Sequence, residues 1–148
     1  MVCPSLTIVG RPEAEVRESK DRVRTAWLDA NFEYPVRRVT THLAPADFPS
    51  DSARLDLPIA LGLLAASGQI QAQRLDDDEF AGEHMLTAEL RPIRGALARA
   101  LAQRRMPDPA RTLVLPEAGA REASVVPGGG AAQHGALIVR DLRQPRPR

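Results

Sequence analysis

Residues 37–68 read RRVTTHLAPADFPSDSARLDLPIALGLLAASG, and how this stretch is divided decides the fold. Residues 37–43 alternate. Val39, Thr41 and Leu43 share one face, and Arg38, Thr40 and His42 share the other, as a half-buried strand requires. Residues 44–52 hold two prolines, two aspartates and two serines, the composition of a loop. Asp56 is placed to cap a helix, and Pro58 falls in its first turn, where a missing N–H costs nothing. From 57 to 66 nearly every residue is apolar, which predicts a helix buried on most of its surface. Gly68 is positioned to close it.

Outward from this unit, strands and helices interleave. On the N-terminal side, the β-branched run Thr7-Ile8-Val9 predicts a strand ended by Gly10. Pro12 opens a helix that runs to Ala30, with Val16, Val23, Trp27 and Ala30 on one apolar face. Glu13–Arg17, Arg17–Asp21 and Glu18–Arg22 are i,i+4 pairs on its wet side. On the C-terminal side, 71–79 is polar, and 80–86 with 89–93 reads as a hairpin joined near Thr87-Ala88. Residues 95–105 form an amphipathic helix with Leu97 and Leu101 on its apolar face and Arg99 and Arg104 outside. Residues 106–109 break it. A strand follows at 112–115, then a helix over 117–126, a flexible break at 127–130 and a last strand at 136–139. The tail 144–148, QPRPR, is expected to be disordered. The order β-α-β-α-β-β-α-β-α predicts an α+β (α/β-like) domain, with helices packed on one mixed sheet.

The composition narrows the function. At 148 residues the chain is one domain by size, and 43% hydrophobic content is enough for a core. Only three Phe, one Trp and one Tyr occur, so that core is aliphatic. A net charge of +1 gives no strong steering toward nucleic acid or membrane. The single cysteine, Cys3, makes no internal disulfide or Cys-rich zinc site and fits a reducing cytoplasm. No apolar run reaches the roughly 18 residues a membrane span needs, and no signal peptide is read.

Several stretches together carry a family resemblance. PSLTIVGRPEAEVRESKDRVRTAWLDANFEYPVRRVTTHLAPADFPSDSARLDLPIALGLLAASGQI, FAGEHMLTAELRPIRGALARALAQ and LVLPEAGAREASVV resemble the N-terminal domain of Mg-chelatase-like proteins of the ComM/YifB type. The resemblance covers residues 5–126. It implies a ribosomal protein S5 domain 2-like fold, shared with the Lon protease domain. It also implies a AAA+ ATPase module elsewhere in full-length relatives, which act in DNA processing during natural transformation. ATP and Mg²⁺ would belong to that module, and no cofactor is expected in this chain. Against the family pattern, the domain is expected at 1–126, truncated at its start and lacking the opening strands, with a divergent tail at 127–148.

A P-loop needs a glycine-rich loop ending in Gly-Lys-Ser/Thr, yet Lys20, the one lysine, follows Ser19 in mid-helix, and the glycines at 127–130 precede no lysine. Lon-like proteolysis uses a Ser nucleophile and a Lys base. The resemblance places those positions at Ile59 and Leu97, the latter after the Pro92-Ile93-Arg94-Gly95 element. Both are aliphatic, so the expected role is packing. Pairing Ser67 or Ser124 with Lys20 has no motif behind it. His42, His84 and His134 are widely spaced, and no HExxH occurs. The run 76–79 lacks the alternation of a calcium loop and reads as a solvated segment. Asp47 reads as a turn cap. Glu83 and His84 are adjacent in a strand and point to opposite faces. Arg17, Arg22 and Arg24 with Arg37 and Arg38 offer a basic surface, though acidic residues intersperse the helix.

The expected function is a non-catalytic accessory domain of a Mg-chelatase-related AAA+ ATPase, cytoplasmic, supporting motor assembly or DNA engagement. Its partners would be an AAA+ module or a second copy, with DNA contact at Arg37 and Arg38 and no membrane. The alternatives are a residual Lon-like serine peptidase and a direct nucleic-acid-binding module.

Overall fold

The computed structural model describes residues 5–10, 13–44, 52–73, 75, 77–87, 89–105, 112–125 and 137–139. Asp47, Asp76, His134, the breaks at 106–109 and 127–130 and the tail at 144–148 lie outside them. The elements in chain order are β1 (Ser5–Val9), α1 (Glu13–Asp29), β2 (Arg38–His42), a 3₁₀ turn (Ser52–Leu55), α2 (Asp56–Ala66), β3 (Asp78–Phe80), β4 (Glu83–His84), β5 (Leu90–Arg91), α3 (Ala96–Arg104), β6 (Thr112–Pro116), α4 (Glu117–Ala123) and β7 (Leu137–Val139). This is a mixed α and β chain, as expected. The single mixed sheet is not observed among the described residues, where the strands form three small sheets ordered β1-β2, β3-β6-β7 and β4-β5.

β1 and β2 pair in parallel, Ser5 opposite Arg38 through Val9 opposite His42, with α1 as the crossover. Leu6 and Ile8 point inward. On β2 the alternation holds: Val39 and Thr41 are half-buried, while Arg38, Thr40 and His42 are exposed. β6 is the central strand of the second sheet, parallel to both β3 and β7. Its run Leu113-Val114-Leu115-Pro116 is buried throughout, because a central parallel strand presents no face to water.

The core has two parts. The larger joins Leu6, Ile8, Val23, Trp27, Ile59, Ala60, Leu63 and Leu64. Trp27 is its anchor. The ring is fully buried, its indole N–H donates to the Glu33 carbonyl at 3.0 Å, and Phe32 and Tyr34 meet it edge-on. The smaller part is alanine-rich, with Ala81, Ile93, Ala96, Leu113, Leu115, Ala120 and Ala123. Here α3 turns a different face inward from the expected one. Ala96 is buried and Ala100 packs against the cluster, whereas Leu97 is half-buried and Leu101 exposed. Small side chains let α3 and α4 approach closely, a preference that apolar spacing alone does not reveal. Arg99, expected outside, reaches back to Glu79 of β3 at 3.8 Å.

The predicted hairpin over 80–93 is shorter than expected. Phe80 belongs to β3 and stands opposite Val114, so only Glu83–His84 and Leu90–Arg91 pair as an antiparallel hairpin. The backbone at 81–82 is spent elsewhere. Ala81 N–H donates to the Val114 carbonyl, Gly82 N–H to that of Arg54, and Leu57 N–H to that of Gly82. A Cβ on Gly82 would come within 3.1–3.3 Å of Leu57 and Pro116 side-chain atoms, so a side chain here would have to push those neighbours aside. At the far end of α2, Gly68 takes φ +75°; its N–H bonds the Ala65 carbonyl and that of Gln69 bonds the Leu64 carbonyl. These two bonds form a Schellman closure, so Gly68 stops the helix as expected.

Candidate functional site

The densest polar arrangement lies at the N-terminal end of α2, and Asp56 is its centre. Asp56 is the first residue of α2 and is fully buried. The expectation that it caps the helix is corrected, since Leu55 holds the capping position and no side-chain cap bond forms. Asp56 instead accepts three side-chain contacts from α1. Ser19 Oγ donates to Oδ1 at 2.7 Å, Arg22 Nε to Oδ2 at 2.6 Å, and Arg22 Nη2 approaches Oδ1 at 3.4 Å. The backbone N–H of His84 adds a longer bond to Oδ2 at 3.3 Å. One carboxylate therefore joins α1, α2 and β4.

The electrostatics follow from burial. Desolvation pushes the Asp56 carboxyl up, while hydrogen bonds from Arg22 and Ser19 and the guanidinium charge pull it back. For Arg22, burial works against the charge, but the Asp56 contacts outweigh it and hold the guanidinium above its ordinary value. The two directions oppose each other within one pair, and the 2.6 Å contact decides: it is the length of a charged bond, so the pair is ionised at neutral pH. His84 is fully buried, and among the described residues neither ring nitrogen has a hydrogen-bond partner. Burial, helped by the Arg22 charge, lowers its pKa to about 4, so the ring is neutral at physiological pH.

Sequence reasoning missed this cluster, although one signal was present. Ser19 falls on the same helical stripe as Val16, Val23 and Trp27, a polar residue in an apolar seam. From the sequence, Arg22 reads as the partner of Glu18 and as part of a basic surface. That pair exists at 3.4 Å, but Glu18 is largely exposed while Arg22 has turned inward.

The residues singled out beforehand are dispersed. Ile59 is 4% exposed within the larger core, and Leu97 is half-buried on α3, outside both sets of buried residues. Arg37 and Arg38 are exposed beside and on β2. Arg22 is withdrawn from the basic surface, and Arg24 lies over the Tyr34 ring at 5.5 Å. Ser67 and Ser124 are exposed and each donates to a carbonyl of its own helix end. Within the acidic run, Asp77 is exposed, but Asp78 is buried at the start of β3 and Glu79 is half-buried, so those two are not solvated as expected. Glu83 is half-buried and His84 fully buried, consistent with opposite faces. Among the described residues, no group of three or more His, Cys, Asp or Glu side chains is arranged to hold a metal ion, and no helix is long and apolar enough to cross a membrane.

Parallel strand pairs, helices packed on them and a carboxylate knot between α1 and α2 define a small mixed α and β domain. Its relatives identify it further. The family described as subunit ChlI of Mg-chelatase matches residues 2–119, and the chain belongs to that family. Competence protein ComM of Haemophilus influenzae is 46% identical over 123 residues, covering 83% of this chain and 24% of ComM. The uncharacterised protein YifB of Escherichia coli is 50% identical over 97 residues, covering 66% of this chain and 19% of YifB. An uncharacterised protein of Mycobacterium bovis is 36% identical over 125 residues, covering 84% of this chain and 24% of that protein. The chain thus spans about a quarter or less of the curated relatives it matches.

Proposed function

We propose that the chain acts as a non-catalytic accessory domain of a Mg-chelatase-related AAA+ ATPase of the ComM/YifB type, in the position of that protein's N-terminal domain. In this reading it has a ribosomal protein S5 domain 2-like fold, works in the cytoplasm and supports motor assembly or DNA engagement during DNA processing. Its partners are the ATPase module or further copies of itself. Any ATP and Mg²⁺ are held by that module and not by these residues.

The observation that carries the proposal is the pairing of 46–50% identity to ComM and YifB with what the matched region spends its polar groups on. Asp56, Ser19 and Arg22 bond one another across a helix interface, and Ile59 is buried among Leu63, Leu64 and Trp27. A nucleophile–base pair must be reachable by substrate; these groups are committed to packing.

The test is a chimera in which this chain replaces the matched segment of Haemophilus influenzae ComM. Transformation frequency near that of the parent is the expected result. A chimera that folds and accumulates yet transforms no better than a ComM deletion overturns the proposal.

A further inference from the structure

A groove of about 540 Å³ opens where the 3₁₀ turn, the β4–β5 hairpin and the segment entering α3 meet. Its charged walls come from separate elements: Arg54 from the turn, Glu83 from β4, Arg91 from β5 and Arg94 from the segment before α3. Glu83 stands directly opposite Arg91 in the hairpin register. Ile93 lies between Arg91 and Arg94 and is buried in the smaller core, so the backbone carrying both arginines is anchored while their side chains stay exposed.

These arginines differ from others in the fold. Arg22, Arg99 and Arg121 each have a carboxylate partner. Among the described residues, none lies within ion-pair distance of Arg91 or Arg94. Arg94 also stands just before α3, whose first turn has no acidic residue and whose leading position makes no side-chain cap bond.

We propose that this groove binds the phosphomonoester group of a small molecule, a nucleoside monophosphate or a sugar phosphate. Arg54 already has a partner, so the charge open to a ligand is that of Arg91 and Arg94, two guanidiniums beside the one carboxylate of Glu83. A phosphomonoester, carrying about −1.5 to −2 at pH 7, can engage both guanidiniums at once. Guanidinium forks grip phosphate oxygens two at a time. The volume falls in the range of small-molecule sites, roughly 300–1,000 Å³, so it holds the remainder of the ligand as well as its phosphate. A nucleic-acid backbone fits less well. Each phosphodiester carries a single charge, the lining has no aromatic ring for a base to stack on, and Arg37 and Arg38 do not line this groove. A phosphate source here lies outside the accessory role proposed above and stands or falls separately from it.

The test is a titration of the 148-residue chain with AMP, with ribose 5-phosphate and with inorganic sulfate, followed by amide NMR shifts and calorimetry. Saturable shifts at residues 91–94 are expected with both phosphate esters. R91Q and R94Q should each weaken AMP binding about tenfold, the loss of one charge-assisted contact, and E83Q should tighten it. Both arginines are exposed, and unchanged thermal melting of the variants checks that the fold is kept. Between pH 7.5 and 5.5 the phosphate esters should lose affinity as they take up a proton near pH 6, while sulfate, a dianion throughout, should not. Absence of saturable shifts at 91–94, or equal AMP affinity in R91Q/R94Q, overturns the proposal. So does a single-stranded oligonucleotide without terminal phosphate that displaces AMP from these residues.

Discussion

At its N-terminal end, α2 is tied to α1 by a buried charge; at its C-terminal end it is tied to the segment after α1 by an exposed amide. Asp56 is fully buried and holds Ser19 and Arg22. Gln69 lies beyond Gly68, where its Oε1 accepts from Glu33 N–H at 2.9 Å and its Nε2 donates to the Glu33 carbonyl at 2.8 Å. One end meets α1 itself and the other the segment that follows it, each through at least two short bonds. They differ in what happens when a partner is lost. Water replaces an exposed amide readily, but cannot reach the buried Asp56 carboxylate at the same cost. The buried contacts thus fix the helix rigidly at one end, and the exposed ones hold it adjustably at the other.

The largest effect should come from breaking the buried end. Asp56→Ala leaves the half-buried Arg22 guanidinium with Glu18 as its remaining carboxylate and strands the His84 N–H, and a loss of about 3 kcal/mol in urea unfolding is expected, the low end for a broken buried pair. Replacing the set together, as S19A/R22M/D56L, removes the charges as well as the bonds and should restore most of that loss. A triple variant as unstable as Asp56→Ala would show that the knot stabilises beyond its own desolvation cost.

The next effect is pH-dependent. The folded-state pKa of His84 is lowered to about 4 from 6.5, so its contribution is complete above pH 6.5 and is lost as pH falls through about 4. The slope reaches about 1.4 kcal/mol per pH unit and totals roughly 3 kcal/mol. Asp56 acts with the opposite sign. Its pKa is raised, so the folded state takes up that proton more readily and recovers part of the loss in acid. Urea midpoints of His84→Leu measured between pH 7 and 4 should fall less than those of the parent; identical profiles would remove His84 from the account.

The smallest effect should be at the exposed end, where Gln69→Ala costs no more than about 1 kcal/mol. A cost equal to that of Asp56→Ala would erase the distinction between the ends.

How much of this was legible depends on which signal each element carries. β1, α1, β2, α2 and β6 follow from β-branched runs, helical spacing and proline and glycine at the boundaries, all of which are local. The hairpin was overextended because the backbone bonds of Ala81 and Gly82 go to Val114 and Arg54, partners 33 and 28 residues away. α3 buries a different face from the one its leucines mark, because leucine outweighs alanine in an apolar count while the α3–α4 contact favours the smaller side chain. Asp56 was assigned a local cap because that role can be read from its neighbours. Its actual partners lie 34 and 37 residues earlier. Family membership was legible because it is carried by whole stretches of sequence and not by any one contact.

Those separations bear on how the molecule is assembled over time. The Asp56 bonds span 28, 34 and 37 residues. Closing such loops costs chain entropy before the contact returns anything, so the knot is expected to close late, and Asp56→Ala should then speed unfolding more than it slows folding. A contact made on the downhill side of the barrier has little influence on how fast the fold is reached. It sets instead how long the fold persists once formed, and Asp56 is the latch on that lifetime.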